Sequence, residues 1–423
     1  MPKKKFFPKI MKLLIVSILV VLILLVLRRI KKANGGRGLF SNRQKTPTTQ
    51  ESPINDSQPT QTISDKISDE VTNITTFVQL GGNVDWNPVD ANILAYDVPD
   101  ANNWTKTWIA NLATGEKKCI TCDSTAPTSL HIGNPAWHPS QKWLVVQGVE
   151  KSFYDRFPSK DEAYKARIMD VGVGIGNELW ATTPDGSRFI KLTDVFAEKG
   201  YKGGVLHPHF THNGSTLAWT QRNGTTSDVS GEDWSIKFAD FIWDGNPDTN
   251  PHLGTIRTYQ LPVSSKGLYE IHSFSKDGSF AIFTSNAESA TKHGYDIYKL
   301  DMTTMQSTNL TQSPREWDEH AHLSPDESTI AWISSMGAGS SAQTLKTEIW
   351  FMNTDGTNKR RVTGFNDPSS TTFANDPFGT IPADLSWLPD GKKLAAYVII
   401  NKSAQTGFSM PGRIVILDIK KKE

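Results

Sequence analysis

Acidic residues are absent from the first 45 positions of this 423-residue chain, yet those positions hold 12 of its 45 lysines and arginines. The remainder therefore carries 33 basic against 44 acidic residues, a net charge of −11 masked by an overall formal charge of +1. A body of that sign argues against nonspecific nucleic-acid binding, which needs a cationic face to displace counterions from phosphate, and no nucleic acid is expected as a partner. Cation binding stays open. Cysteine is nearly missing, with Cys119 and Cys122 the only two. A structural zinc site takes four ligands and no second pair exists, so Cys119-Ile120-Thr121-Cys122 reads as a structural pair, with redox or metal chemistry as the alternative. Residues three apart on a continuing strand face opposite ways, so a disulfide here needs a strand end or a bulge. Also lacking are a Gly-rich phosphate loop and a Gly-x-Ser-x-Gly nucleophile elbow. No stretch outside the repeated body is long enough to read as an appended hydrolase. Nothing in that body has the period of a long amphipathic helix, the nearest candidate being 160–169.

What the chain does contain is one phrase repeated six times. The copies end on Trp86, Trp137, Phe210, Phe274, Leu323 and Trp387, 49 to 73 residues apart, and each is followed by a short apolar strand, at 93–96, 143–146, 217–219, 280–283, 330–332 and 394–397. Several copies pass through Asp-Gly or Asn-Gly, which supplies the positive backbone angles of a tight turn. A second hairpin follows each copy, at 108–120, 178–192, 256–261, 296–310 and 348–362, whereas the sixth unit has one further strand, 413–419. Two hairpins make a four-stranded blade that cannot bury both faces alone, so a solenoid, array or propeller results. Six copies predict six blades. The orphan strand 76–80 is expected to complete the sixth and close the ring, removing the open edges of a linear stack.

Ahead of the ring, 1–9 is a basic tail and 10–27 an apolar run near the lower length limit for spanning a bilayer. Cationic residues follow the run where a signal peptide would show small residues at a cleavage site, so an uncleaved anchor is expected. Residues 28–75 begin basic and become rich in Ser, Thr, Gln and Pro, the composition of a disordered linker. Basic residues flank the span on both sides and lean slightly toward a cytoplasmic ring. The order of tail, span, stalk and domain is instead the plan of an exported protein. The expectation is a single-pass cell-membrane protein with its propeller extracytoplasmic.

In a propeller, every innermost strand starts at the same mouth of the channel. Three consecutive blades then deliver His207 and His209, Glu270 and His272, and Asp318, Glu319, His320 and His322 to one funnel, with Asp384 from the last blade. Imidazoles with carboxylates suit a divalent metal such as manganese or zinc. The alternative is a generic polar funnel in which each histidine satisfies a backbone carbonyl or a neighbouring acid.

The phrases Phe274-Ser275-Lys276-Asp277-Gly278, Leu323-Ser324-Pro325-Asp326 and Trp387-Leu388-Pro389-Asp390-Gly391, with the strand endings Asn309-Leu310-Thr311 and Arg361-Val362-Thr363, resemble the TolB-type propeller repeat over residues 76–423. That resemblance implies a six-bladed propeller serving as a binding platform for a protein, peptide or glycan. The His320-Ala321-His322 pair is similar to the manganese-binding histidines of oligogalacturonate lyases, which are built on such propellers. That likeness implies His272, His320 and His322 as metal ligands, although Trp317 stands where an amide ligand would be expected. An acidic ring is a poor receptor for a polyanionic sugar, so the leading expectation is a membrane-tethered binding module without catalysis, and a metal-dependent polysaccharide lyase is the alternative.

Overall fold

The computed structural model describes residues 67–420 apart from 124, 225–232, 263–265, 290–293, 342–343, 378 and 401–411. The span expected at 10–27, the basic flank and most of the expected linker lie outside these residues. Among the described residues no helix is long and apolar enough to cross a membrane.

The described residues form six antiparallel sheets, and each innermost strand ends on its sequence anchor. These strands are Val84–Trp86, Ile132–Trp137, Val205–Phe210, Tyr269–Phe274, Asp318–Leu323 and Thr380–Trp387, in blades I to VI. The chain is a six-bladed β-propeller. Its turns use the expected chemistry, with Gly278 and Gly391 at φ 72° and 71°, a region that costs a residue with a Cβ. The core lies between blades. Phe238 of blade III packs with Ile271 and Phe283 of blade IV, Trp143 of II with Trp219 of III, and Trp86 of I with Ala395 and Ile414 of VI. Each large apolar side chain so buried contributes about 1.5–3 kcal/mol, which is why a single blade does not stand alone.

Blade VI is completed by Val71–Gly81, antiparallel to Gly412–Ile419, with Val71 opposite Ile419 and Gly81 opposite Gly412. The strand begins before the expected start at 76, and the ties begin earlier still. The Ser68 amide donates to Arg361 O at 2.8 Å, the Lys420 amide to Glu70 O at 2.7 Å, and Arg360 Nη2 to Glu70 Oε1 at 2.7 Å. Residues from Ser68 onward thus belong to the ring rather than the linker. Their polar composition suits an outermost strand whose side chains are mostly half-buried or exposed.

Blade III differs from expectation. Its third strand is Trp234–Ile242, paired along Thr216–Arg222, and Arg257–Tyr259 is its fourth, so 256–261 is a single outer strand and not a hairpin. The insertion of blade II holds two short helices, Lys151–Arg156 and Glu162–Ile168, the second capped by Asp161, whose carboxylate accepts from the Tyr164 amide at 3.0 Å. Cys119 and Cys122 form a disulfide, Cα to Cα 5.7 Å, at the end of strand Lys117–Cys119. Thr121 Oγ1 between them accepts from the Thr107 amide at 2.9 Å, so the chain leaves the ladder there.

An innermost strand is an edge, and an edge carries unpaired amides. Here side chains of the preceding blade satisfy several of them. Asp85 accepts from the Trp137 amide at 2.8 Å, Ser386 from Trp86 at 2.8 Å, and Ser273 from Leu323 at 3.2 Å. The corresponding positions of blades III and V are His209 and His322, whose rings face each other with centroids 5.7 Å apart.

Candidate functional site

The innermost strands do not run straight to the channel. Pairing slips between Gly133 and Ala136, Leu206 and His209, and Glu319 and His322. Within these bulges Asn134, His207 and His320 take φ of 55°, 45° and 50°. The left-handed region is uncommon for residues with a Cβ, though Asn and His are enriched there, and a bulge re-aims a side chain. Blade IV slips by one residue between Ile271 and Ser273, which takes His272 out of the pairing while Ile271 stays in the apolar core.

The outcome is one polar cluster on the axis. Asp85, Asn134, His207, His209, His272, His320, His322 and Asp384 line a space of about 10 Å³, room for roughly one water-sized occupant. Ligand atoms of His207, Glu270 and His320 all lie within 4.8 Å of one another, and Glu270 Oε1 touches His207 Nδ1. Asp384 Oδ1 is 3.6 Å from His322 Nε2 and 3.8 Å from His320 Nδ1. The His272 ring stands 5.6 Å from that of His320 and 6.0 Å from that of His322.

Two histidines outside the channel show what a purely structural role looks like. His138 spends Nδ1 on Ser140 Oγ and Nε2 on Gly214 O, and His131 spends its nitrogens on Thr105 and Ala166 O. His272 is different. Its Nε2 lies 2.7 Å from Thr284 Oγ1, whereas Nδ1 is buried with no hydrogen-bond partner among the described residues. An orienting hydroxyl on one ring nitrogen and an open lone pair on the other is the usual arrangement of a metal-ligating imidazole.

Electrostatics agree with the geometry. Burial pushes His207 down to about 4 and His320 down to about 3, and holds His209 and His272 well below the usual imidazole range. Burial would raise the Asp384 carboxyl, but the neighbouring His322, His320 and His207 rings bring it down to about 2. Neutral imidazoles beside an ionised carboxylate are the protonation state that metal ligation requires. The donor set fits a divalent transition metal.

A larger cavity of about 400 Å³ shares His207 and His320 with the cluster and opens from it. Its lining includes Leu80, Pro99, Ile333, Ile381, Tyr397 and Ile399, with Trp317, Glu319, Asp97 and Asp170 among the polar and aromatic groups. Residues 170–173, where the blade II insertion returns to the ring, form part of the rim.

Of the residues expected in the funnel, His207, His209, His272, His320, His322 and Asp384 line the small space, Glu270 joins through His207, and Glu319 lines the larger cavity while holding Trp317 Nε1 at 2.6 Å. Asp318 lines neither cavity. Its carboxylate accepts from Ser313 Oγ and from Trp332 Nε1, the latter at 3.2 Å, because the strand pleat turns it into the sheet. Asp97 and Asp170 were not anticipated. The signal for Asp97 was an acid inside an apolar strand, Ile93–Pro99.

No family model matches the chain. Dipeptidyl-peptidase 5 of Porphyromonas endodontalis is 25% identical over 190 residues, which cover 37% of this chain and 26% of that protein. The chain thus matches about a quarter of that relative's length. Among solved structures it is similar to a putative TolB from Agrobacterium tumefaciens, at 17% identity over 72% of this chain and 82% of that one, with a TM-score of 0.44. It is likewise similar to an oligogalacturonate lyase in complex with manganese, at 13% identity over 82% and 93%, with a TM-score of 0.45. These likenesses are distant, and the propeller assignment rests on the six sheets themselves.

Proposed function

We propose that the ring is a ligand-binding module whose mouth cavity receives a peptide or protein segment above a divalent metal held by the channel histidines. The observation that carries this reading is the sharing of His207 and His320 between the metal-type cluster and the larger, mostly apolar cavity. His207, Glu270, His272, His320, His322 and Asp384 would hold the ion, and a bound ion would supply Lewis acidity to an oxygen or nitrogen of the ligand. The proposal places the ring outside a cell membrane, anchored through residues 10–27. The Cys119–Cys122 disulfide supports that placement, since such bonds persist chiefly in oxidising compartments.

A second reading, a metal-dependent lyase acting on oligogalacturonide, is favoured by the convergence of His272 on the His320–His322 pair. Against it, the described residues lining the larger cavity include carboxylates and no lysine or arginine to receive a polyuronate.

Elemental analysis of protein purified without chelator tests the metal. The expected result is close to one equivalent of manganese, zinc or a similar ion, lost in His322→Ala, with a lower melting temperature after chelation. Metal-free protein whose melting ignores both chelator and added ion would overturn the metal. Release of an unsaturated, ultraviolet-absorbing product from oligogalacturonide would replace the binding module by the lyase.

A further inference from the structure

The larger cavity contains a buried carboxyl with an unpartnered oxygen, and burial pushes its ionisation well above the usual carboxylate range. Asp97 is 1% exposed yet lines the cavity, and its Oδ1 has no hydrogen-bond partner among the described residues. Its other oxygen, Oδ2, accepts from the Asn134 amide at 2.8 Å. The Thr107 hydroxyl donates to Ile132 O at 3.3 Å and lies close enough to pull the Asp97 ionisation down a little against the larger effect of burial. The position is built rather than incidental. A Cβ on Gly133 would stand 2.6 Å from Oδ2 and 2.8 Å from Oδ1, so only glycine lets the carboxyl lie against that strand. A buried polar atom left unpaired costs about 1–3 kcal/mol, and such an orphan beside a cavity points to a ligand that pairs with it.

The surroundings define the ligand's chemistry. Asp170 lines the same cavity, and its only described ion-pair partner is the His131 ring at 3.6 Å. Both carboxylates act on the Tyr397 hydroxyl, whose ionisation is pushed up first by burial and then by Asp170, Asp97 and Asp384. Neither lysine nor arginine is among the described lining residues. Val171, Val173, Ile381 and Ile399 supply apolar wall, and Trp317 and Tyr397 add aromatic rings, which attract cations. The volume of about 400 Å³ is that of a small-ligand site.

We infer that this cavity receives an organic cation on an aliphatic stem, the amine or guanidinium of a peptide lysine or arginine, with Asp97 as its counter-charge and the apolar wall around the stem. The inference rests on the reading of this cavity as the ligand site and adds the class of group that enters it. A charge-assisted bond to Asp97 Oδ1 would satisfy the orphan atom, while a polyanion would meet only repulsion.

The test is calorimetric titration of the full chain, in mild detergent, with Ala-Ala-Lys, Ala-Ala-Arg, Ala-Ala-norleucine and Ala-Ala-Glu peptides blocked at both ends, and with cadaverine. The lysine or arginine peptide should bind at least tenfold more tightly than the norleucine and glutamate peptides, and Asp97→Asn, which keeps an acceptor for Asn134, should remove that preference. Asp170→Asn should weaken it and serves if the first variant fails to fold. A peptide tighter than cadaverine assigns the site to a peptide side chain, and equal affinities assign it to free diamines. Equal binding of lysine and norleucine peptides, no binding of any cation, or an unchanged preference in both folded variants overturns the inference. Metal content measured on the same samples separates the two readings. Cation binding by metal-free protein removes the metal alone, and metal-loaded protein indifferent to the peptides removes the cation site alone.

Discussion

His207 and His320 sit on different blades in the same left-handed backbone conformation, φ 45° and 50°, and their rings meet across the channel with centroids 5.3 Å apart. Each occupies a β-bulge, at Leu206/His209 and Glu319/His322. The channel cluster is therefore held by strained backbone on two strands, in the manner of sites where strain is retained because the surroundings over-determine it.

That geometry makes glycine and alanine unequal replacements. A residue with a Cβ costs about 1–2 kcal/mol in the left-handed region, which glycine avoids at some cost in unfolded-state entropy. His320→Gly should be more stable than His320→Ala by about 1 kcal/mol in urea unfolding, although both remove the imidazole. Equal midpoints, or a more stable alanine variant, would mean the bulge relaxes on substitution.

Closure of the ring gives a second expectation. Deleting residues 1–66 leaves the Glu70–Arg360 pair and the strand Val71–Gly81 intact, so a soluble ring with the melting temperature of the full chain is expected. Deleting 1–81 bares the Gly412–Ile419 strand as an open edge, and loss of at least ten degrees or aggregation on size exclusion is expected. Identical melting of the two truncations would show that the strand contributes nothing to the ring.

Asp85 supplies a pH signature. Burial pushes its carboxyl up to about 7, with the Trp137 amide and the Ser386 hydroxyl pulling the other way and Asp384 adding to the rise. The folded value lies above the ordinary 3.8, so between the two the folded state binds more protons than the unfolded one. Its stabilising contribution is then full below pH 4 and is lost as pH rises toward 7. Asp85→Asn, which keeps an acceptor for Trp137, should gain on the parent by about 3 kcal/mol between pH 5 and pH 8 in metal-stripped protein, read from urea midpoints. A gap independent of pH would mean that Asp85 is ionised throughout that range.

Local signals made the architecture legible. The anchors Trp86, Trp137, Phe210, Phe274, Leu323 and Trp387 each end an innermost strand, because a strand, a tight polar turn and another strand are encoded within a dozen residues. Blade III failed where its third strand, Trp234–Ile242, follows an insertion that breaks the hairpin spacing. The expected start at 76 came too late because an outer strand that leaves side chains in solvent has the composition of a linker.

The sequence by itself determined the ring, the number of its blades and which strand starts carry histidine, since period and turn chemistry are properties of neighbouring residues. Tertiary structure decided what those histidines do. Asp318 and His320 are two positions apart on one strand, yet the pleat and the bulge send Asp318 to Trp332 Nε1 and His320 to the channel. Asp97, His207 and Trp317 border one cavity although they are far apart along the chain. Only closure of the ring brings such positions together, and register shifts of one residue reverse which face a side chain serves.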